Sequence, residues 1–123
     1  MTQISAEKMS VEQLVERFFL IAVEQDKALK TDKIAKYNRL FGDLRSVVDE
    51  LKRRSGDQRR ALVGFLKHEN AQVRLKAAIA TLALTPDASR RTLQMISDLN
   101  EYPQAPFARD ILMGLDDGSY TPT

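Results

Sequence analysis

The sequence predicts an all-α protein of about six helices arranged in three antiparallel pairs. Apolar residues recur at spacings of three and four over most of the chain, and residues that cap helices stand between these runs. No stretch has the alternation typical of a half-buried strand. A chain of 123 residues is about one domain in size. We therefore predict a single helical domain over residues 1–123, with loosely ordered ends at 1–9 and 116–123.

The first pair of helices is predicted from its caps and its apolar stripe. Ser10 and Gln13 have the spacing of a capping box, and Thr31-Asp32 supplies the cap of a second helix that ends near Arg54. The short turn between the two helices predicts antiparallel neighbours. Gly42 indicates a close helix crossing or a bend. The second helix is expected to pack through Ile34, Tyr37, Leu40, Phe41, Leu44, Val47, Val48 and Leu51.

Four further helices follow from similar signals. Asp57 is expected to cap a short third helix that ends near Leu66, and Asn70 to cap a small and apolar central helix that reaches Leu84. Pro86 fits the first position of the fifth helix. A loop is predicted over residues 100–106, and it contains both Pro103 and Pro106. The fifth helix should bury Leu93, Met95, Ile96 and Leu99, and the sixth should carry Phe107, Ala108, Ile111, Leu112 and Leu115.

Two segments of the chain resemble each other at an offset of 31 residues. Residues 57–62 read D-Q-R-R-A-L, and residues 88–93 read A-S-R-R-T-L. Offsets of this size are typical of stacked helical repeats, in which each repeat is one helical hairpin.

The central stretch H-E-N-A-Q-V-R-L-K-A-A-I-A-T-L, residues 68–82, resembles the second helix of a HEAT repeat. Val73-Arg74, Ala77-Ala78 and Leu82 occupy the positions of that pattern. The whole chain is similar to a small bacterial family of compact HEAT/armadillo-like proteins catalogued as a domain of unknown function. The resemblance implies a HEAT-like α-α superhelix and no established activity. It also implies that Arg74 bonds to polar groups of a neighbouring repeat.

The sequence lacks the residue sets on which most enzymes depend. Cysteine is absent, His68 is the only histidine, and the five glycines are scattered rather than gathered in a phosphate-binding loop. We therefore predict no catalytic residue, no metal site, no cofactor and no enzymatic activity. There is no apolar run of about 18 residues and no secretory signal pattern, so we expect a cytoplasmic protein that does not enter a membrane.

Charge is distributed unevenly along the chain. The net charge is +2, but residues 45–76 carry +5 and residues 77–123 carry −3. Two arginine pairs stand near predicted helix starts, where the helix dipole disfavours cations. We predict a basic ridge that binds an acidic partner protein. Its six residues are Arg53, Arg54, Arg59, Arg60, Arg90 and Arg91.

Other interpretations of these arginines stay open. They could pair with Asp57, Asp87, Asp98 or Glu101, or serve only solubility. The ridge could also bind nucleic-acid phosphates, although the chain has no Trp and few aromatics outside its apolar stripes. The long second helix and the opposite charges of the two halves would also suit a homo-oligomer.

Overall fold

The computed structural model describes residues 5–123, and within that range the chain is all-α with no strand. The all-α prediction is confirmed. A 3₁₀ helix, Gln58–Lys67, occupies the third of the six predicted helical positions, and a short one, Ala6–Lys8, precedes the first. The five α-helices are Val11–Lys30 (α1), Ile34–Arg53 (α2), Ala71–Thr81 (α3), Pro86–Asp98 (α4) and Gln104–Asp117 (α5).

The helices belong to two compact units, an N-terminal unit that ends at Ala61 and a C-terminal unit over Leu62–Thr123. In the N-terminal unit, α1 begins at the predicted capping box: the Gln13 N–H donates to Ser10 Oγ at 3.1 Å, and the Ser10 N–H donates to Gln13 Oε1 at 2.8 Å. Near the other end of α1, Lys36 of α2 pairs with Glu24 at 3.4 Å. Since Lys36 lies early in α2 and Glu24 late in α1, the two helices are antiparallel.

The turn between α1 and α2 differs from the prediction. Asp32 does not cap α2, which begins after Lys33 without a side-chain cap. Asp32 has a left-handed backbone (φ 58°), a conformation that Asp tolerates better than most residues. Thr31 instead donates its hydroxyl to the Lys27 carbonyl at 2.8 Å. The Thr31-Asp32 pair therefore ends α1 and reverses the chain.

The apolar stripe of α2 is narrower than predicted. Leu40, Leu44, Val47 and Leu51 are buried, whereas Ile34 and Phe41 are about half exposed. The buried positions repeat at i, i+4, i+7 and i+11, which keeps them on one line of the helix. Gly42 marks no close crossing, because a methyl group added there would meet nothing within 4 Å among the described residues.

The third helix is a 3₁₀ helix rather than the predicted α-helix. Arg59, Leu62 and Leu66 are buried and Phe65 is half-buried, whereas Ala61 and Gly64 are exposed. Residues three apart share a face of a 3₁₀ helix, so Arg59, Leu62 and Phe65 lie on one face, and burial extends from it to Leu66. Gly64 disfavours an α-helix here by about 1 kcal/mol relative to Ala.

In the C-terminal unit, α3 packs on α4 and α5, and α4 packs on α5. No residue of α3 is exposed, as its small and apolar composition predicts. Asn70 caps α3 as predicted, because its Oδ1 accepts the N–H groups of Gln72 at 2.9 Å and Val73 at 3.2 Å. A buried hydrogen bond of 3.0 Å, from Gln104 Nε2 to Gln72 Oε1, joins α5 to α3.

The start of α5 and the chain end differ from the prediction. Pro86 opens α4 as predicted, but α5 begins at Gln104 and includes Pro106. A proline in the first helical turn removes no helical hydrogen bond, so Pro106 does not break the helix. At the other end, α5 continues to Asp117 and Gly118 follows in a left-handed conformation. Of the predicted loose ends, residues 1–4 lie outside the described residues.

Candidate functional site

The six arginines of the predicted ridge differ in their surroundings. Arg59 is only 6% exposed. Its guanidinium donates to both carboxylate oxygens of Asp57, from Nε at 2.9 Å and from Nη2 at 2.7 Å. This hydrogen bonding holds the pKa of Asp57 below its usual value. The guanidinium of Arg59 thus forms its ion pair with a residue only two positions earlier in the chain.

Arg53 and Arg54 share one carboxylate. Arg53 Nη2 lies 2.9 Å from Glu50 Oε1, and Arg54 Nε lies 2.6 Å from Glu50 Oε2. The hydrogen bond from Arg54 holds the pKa of Glu50 below its usual value. Arg54 also donates to the Met9 carbonyl at 2.7 Å and to the Ala6 carbonyl at 3.2 Å. Arg54 therefore holds the segment before α1 against the end of α2.

The remaining three arginines are Arg60, Arg90 and Arg91. Arg90 of α4 pairs with Asp116 of α5, a partner that the sequence analysis did not consider. Arg60 and Arg91 are both exposed. Neither makes an ion pair or a side-chain hydrogen bond within the described part of the chain.

One of these free arginines lies at a groove of the C-terminal unit. The groove runs between the 3₁₀ helix and α4 and encloses about 810 Å³. That volume lies in the range typical of small-molecule and cofactor pockets. We call it the α4 groove. It is lined by Val63, Gly64, Leu66, Lys67, His68, Glu69, Arg74, Ala88, Arg91, Thr92 and Met95.

One wall of the α4 groove is fixed by a network centred on Arg74. Its Nη1 and Nη2 donate to the two carboxylate oxygens of Glu101 at 2.7 and 2.8 Å, and its Nε donates to the His68 carbonyl at 2.6 Å. The pairing with Glu101 is bidentate, the geometry that orients a guanidinium best. This hydrogen bonding lowers the pKa of Glu101 and raises that of Arg74. Arg74 thus joins α3 to the connection before α5.

His68 belongs to the same wall. The Asn70 N–H donates to His68 Nδ1 at 3.0 Å, and the His68 ring meets Phe65 edge-on with 6.3 Å between centroids. His68 is therefore a polar residue of the turn before α3. Its Nδ1 is held by the backbone at the start of α3.

The opposite wall is one face of α4. Ala88, Thr92 and Met95 lie along it, and Leu99 follows one turn after Met95. Met95 is 54% exposed and Leu99 is 66% exposed. The prediction that both are buried is wrong. Leu93 and Ile96 fill the core from the other side of α4, and the helical period places Met95 about 100° from Ile96.

The rim of the α4 groove is mainly basic. Lys67 and Arg91 are exposed cations on its two sides, and Glu69 is the acidic residue among its lining. The charge of Arg74 is neutralised by Glu101. An apolar floor with free cations at its edge suits a ligand that is apolar on one side and acidic at its margins. Arg91 was predicted from the sequence as a binding residue, whereas Met95 was predicted to lie in the core; its position on the helical period, about 100° from Ile96, is the one feature of the sequence that indicates its exposure.

Other features of the described residues do not indicate chemistry. A second groove of about 510 Å³ lies between α1 and α2, and it combines the apolar Leu20 and Met9 with the acidic Glu16, Glu24 and Asp43. Residues 5–123 contain no cluster of acidic, His or Cys side chains that could hold a metal ion. No helix in that range combines the length and apolar character needed to cross a membrane. Burial lowers the pKa of Lys76 in α3 to about 8.

These observations define an all-α helical protein with an apolar, basic-rimmed groove in its C-terminal unit. A family model described as "Domain of unknown function (DUF2019)" matches residues 12–116, and the chain belongs to that family.

The chain is also similar to a protein of known structure, RPA1889 from Rhodopseudomonas palustris CGA009. The two are 42% identical, with 98% of this chain and 100% of the other chain covered and a TM-score of 0.94. No curated protein matches the chain.

Proposed function

We propose that this chain is a non-enzymatic protein–protein interaction module of the bacterial cytoplasm, built on a HEAT-like scaffold. The α4 groove is its binding surface, and the occupant is an acidic segment of another protein. The observation that carries this proposal is that the exposed Met95 and the unpaired Arg91 lie in the same groove. Together they offer a partner an exposed apolar side chain and a cation that forms no ion pair within the described residues.

The apolar part of the groove supports binding by burial. Val63, Leu66 and Met95 line it, and each square ångström of apolar surface that a partner covers is worth about 25 cal/mol. A partner residue of the size of Leu could therefore contribute about 2 kcal/mol if fully buried. Methionine side chains adapt to ligands of different shapes, which suits a recognition surface.

The HEAT-like part of the proposal is supported by the repeat at an offset of 31 residues. Leu62 and Leu93 are equivalent in that repeat and both are fully buried. Arg60 and Arg91 are equivalent and both are exposed. Similar sequence and similar burial are what two copies of one helical repeat would share.

The charges favour an acidic protein over nucleic acid. Four of the six candidate arginines already contact a carboxylate, which reduces the number of cations left for phosphates. The four are Arg53, Arg54, Arg59 and Arg90. The lining of the α4 groove also contains no Phe, Tyr or Trp on which a base could stack.

A display selection tests the proposal. Random 20-residue peptides are selected on the native protein and then tested on Met95→Asp, with Met113→Asp as the matched control. Met113 is 65% exposed on α5 and lies outside the groove. We expect enriched peptides that contain acidic and large apolar residues, bind the native protein and Met113→Asp, and lose binding to Met95→Asp.

Failure of this selection would take one of two forms. If no enriched peptide depends on Met95, the α4 groove is not the binding surface. If the native protein instead binds single-stranded or duplex DNA, with affinity falling steeply from 50 to 200 mM salt, the phosphate-binding alternative replaces the proposal. Light scattering at several protein concentrations would reveal whether the protein self-associates.

A further inference from the structure

We infer that the segment received by the α4 groove is an amphipathic acidic helix of about three turns. This inference rests on the function proposed above and specifies the conformation of the partner. It follows from the shape of the apolar face of α4, from the backbone hydrogen bonds around the groove and from the charges at its rim.

The side of α4 that lines the groove has a length that suits a short partner helix. Ala88, the buried Thr92 and the exposed Met95 line the groove at steps of four and three residues, and the exposed Leu99 follows one turn later, just after the end of α4 and outside the groove lining. The eleven residue steps from Ala88 to Leu99 span about 16 Å at the helical rise. A partner helix of three turns has the same length, and its own residues at i, i+4, i+7 and i+11 would lie along this face.

The backbone around the groove has no row of free N–H and C=O groups, such as a sheet edge has, with which an extended peptide could form hydrogen bonds. Both walls are helical, so most of their N–H and C=O groups bond within the helices. In the turn between the 3₁₀ helix and α3, the carbonyls of His68 and Glu69 accept from Arg74, and the Asn70 N–H donates to His68. An extended segment would bury polar backbone groups without partners, at a cost of about 1–3 kcal/mol each. A helix satisfies these groups internally.

The lining also disfavours a proline-rich ligand. Domains that bind polyproline helices use grooves lined with aromatic side chains. The α4 groove contains His68 but no Phe, Tyr or Trp. Among the common modes of peptide recognition, a helix in a groove is the one that this lining fits.

The positive charges at the rim of the groove favour acidic residues on the two flanks of the partner helix. Lys67 and Arg91 are exposed on the two walls, on either side of the apolar floor. A helix with its apolar side on Met95 presents its flanking positions to these cations. Glu or Asp there would form ion pairs at the edge of the interface, which influence the association rate and orientation more than the affinity.

Two synthetic peptides of identical composition test this inference. Both contain four Leu, six Glu and eight Ala or Gln. In the helical-order peptide the Leu residues stand at i, i+4, i+7 and i+11, and in the alternating-order peptide they stand at i, i+2, i+4 and i+6. Affinity is measured by fluorescence anisotropy on the native protein, Met95→Asp and Met113→Asp, after circular dichroism establishes that the variants keep native helicity.

We expect the helical-order peptide to bind at least about tenfold more tightly than the alternating-order peptide. We also expect that Met95→Asp abolishes this difference and that Met113→Asp preserves it. Circular dichroism of the complex should show added helix. A proline placed at the centre of the helical-order peptide should remove the binding, because it breaks the helix.

Contrary results would separate the inference from the function on which it rests. If both orders bind equally and both depend on Met95, the groove is a protein-binding surface but not a helix-binding one. If neither order binds although the display selection has yielded peptides that depend on Met95, only the helical inference is wrong. If that selection also fails, the inference and the proposed function are both wrong.

Discussion

The segments D-Q-R-R-A-L (residues 57–62) and A-S-R-R-T-L (residues 88–93) are similar in sequence, but their arginines make different contacts. Their leucines, Leu62 and Leu93, are both fully buried, and Arg60 and Arg91 are both exposed. The remaining arginines differ: Arg59 is buried on Asp57 two residues earlier, whereas Arg90 reaches Asp116 on another helix.

One residue accounts for this difference. Asp57 stands two residues before Arg59, and the equivalent position before Arg90 is Ala88. Arg59 therefore finds a carboxylate in its own turn, and Arg90 has to find one elsewhere. The periodicity of the sequence determines which residues face the core, but a single neighbouring side chain determines whether an arginine stays available for a partner.

The largest effect should follow from truncating either leucine. Leu62→Ala and Leu93→Ala should each lower the free energy of unfolding by about 2–5 kcal/mol, because each removes a fully buried side chain and leaves a cavity. Urea denaturation measures both changes. Leu99→Ala is the control and should cost less than about 0.5 kcal/mol, since Leu99 is largely exposed. If only one of the two variants showed a small loss of unfolding free energy, Leu62 and Leu93 would not be structurally equivalent.

The next effect should separate the two arginines. Arg59→Ala should cost about 1.5–3 kcal/mol, because it removes charge-assisted hydrogen bonds in a buried setting. Arg90→Ala should cost less than about 1 kcal/mol, because its pair with Asp116 is exposed to solvent. Equal losses in thermal and urea unfolding would contradict the assignment of different roles to these two residues.

Arg74 is a third kind of arginine, because its ion pair with Glu101 joins α3 to the connection before α5. Hydrogen bonding from Arg74 lowers the pKa of Glu101 below its ordinary value of 4.5. The unfolded chain therefore binds more protons near that pH, so this contribution to stability is complete above about pH 4.5 and is lost as the pH falls through the lowered pKa. We expect the unfolding free energy of the native protein to fall more steeply below pH 4.5 than that of Glu101→Gln. Parallel pH profiles would show that the pair contributes nothing.

The smallest effect should be at the exposed arginines. Arg60→Ala and Arg91→Ala should each change the free energy of unfolding by less than about 0.5 kcal/mol, because neither side chain is buried or ion-paired among the described residues. Differential scanning calorimetry measures both. A larger loss at Arg91 would indicate a structural role and would weaken its assignment to a binding surface.

Local signals in the sequence predicted most of the helical elements. The capping box at Ser10, the Asn70 cap and Pro86 each rest on residues within one helical turn, and the structure confirms all three. The lack of exposed residues in α3 also agrees with its small and apolar composition. Such features depend on a few neighbouring residues, so one sequence is enough to predict them.

Features that depend on distant residues were harder to predict. The pairing of Arg90 with Asp116 and of Arg74 with Glu101 joins residues 26 and 27 positions apart. Met95 looks like a core residue by composition, and only the packing of α3 and α5 on the other side of α4 leaves it exposed. The groove itself was not predicted, although one of its cations was.

The most direct test of the account compares two equivalent arginines in binding. The helical-order peptide is titrated by isothermal calorimetry into the native protein, Arg91→Glu and Arg60→Glu. Both variants reverse an exposed charge, but only Arg91 lines the α4 groove. We predict that Arg91→Glu weakens binding about tenfold or more and that Arg60→Glu leaves it within about twofold. Equal weakening by both variants, or no weakening by either, would contradict the assignment of the groove as the binding surface.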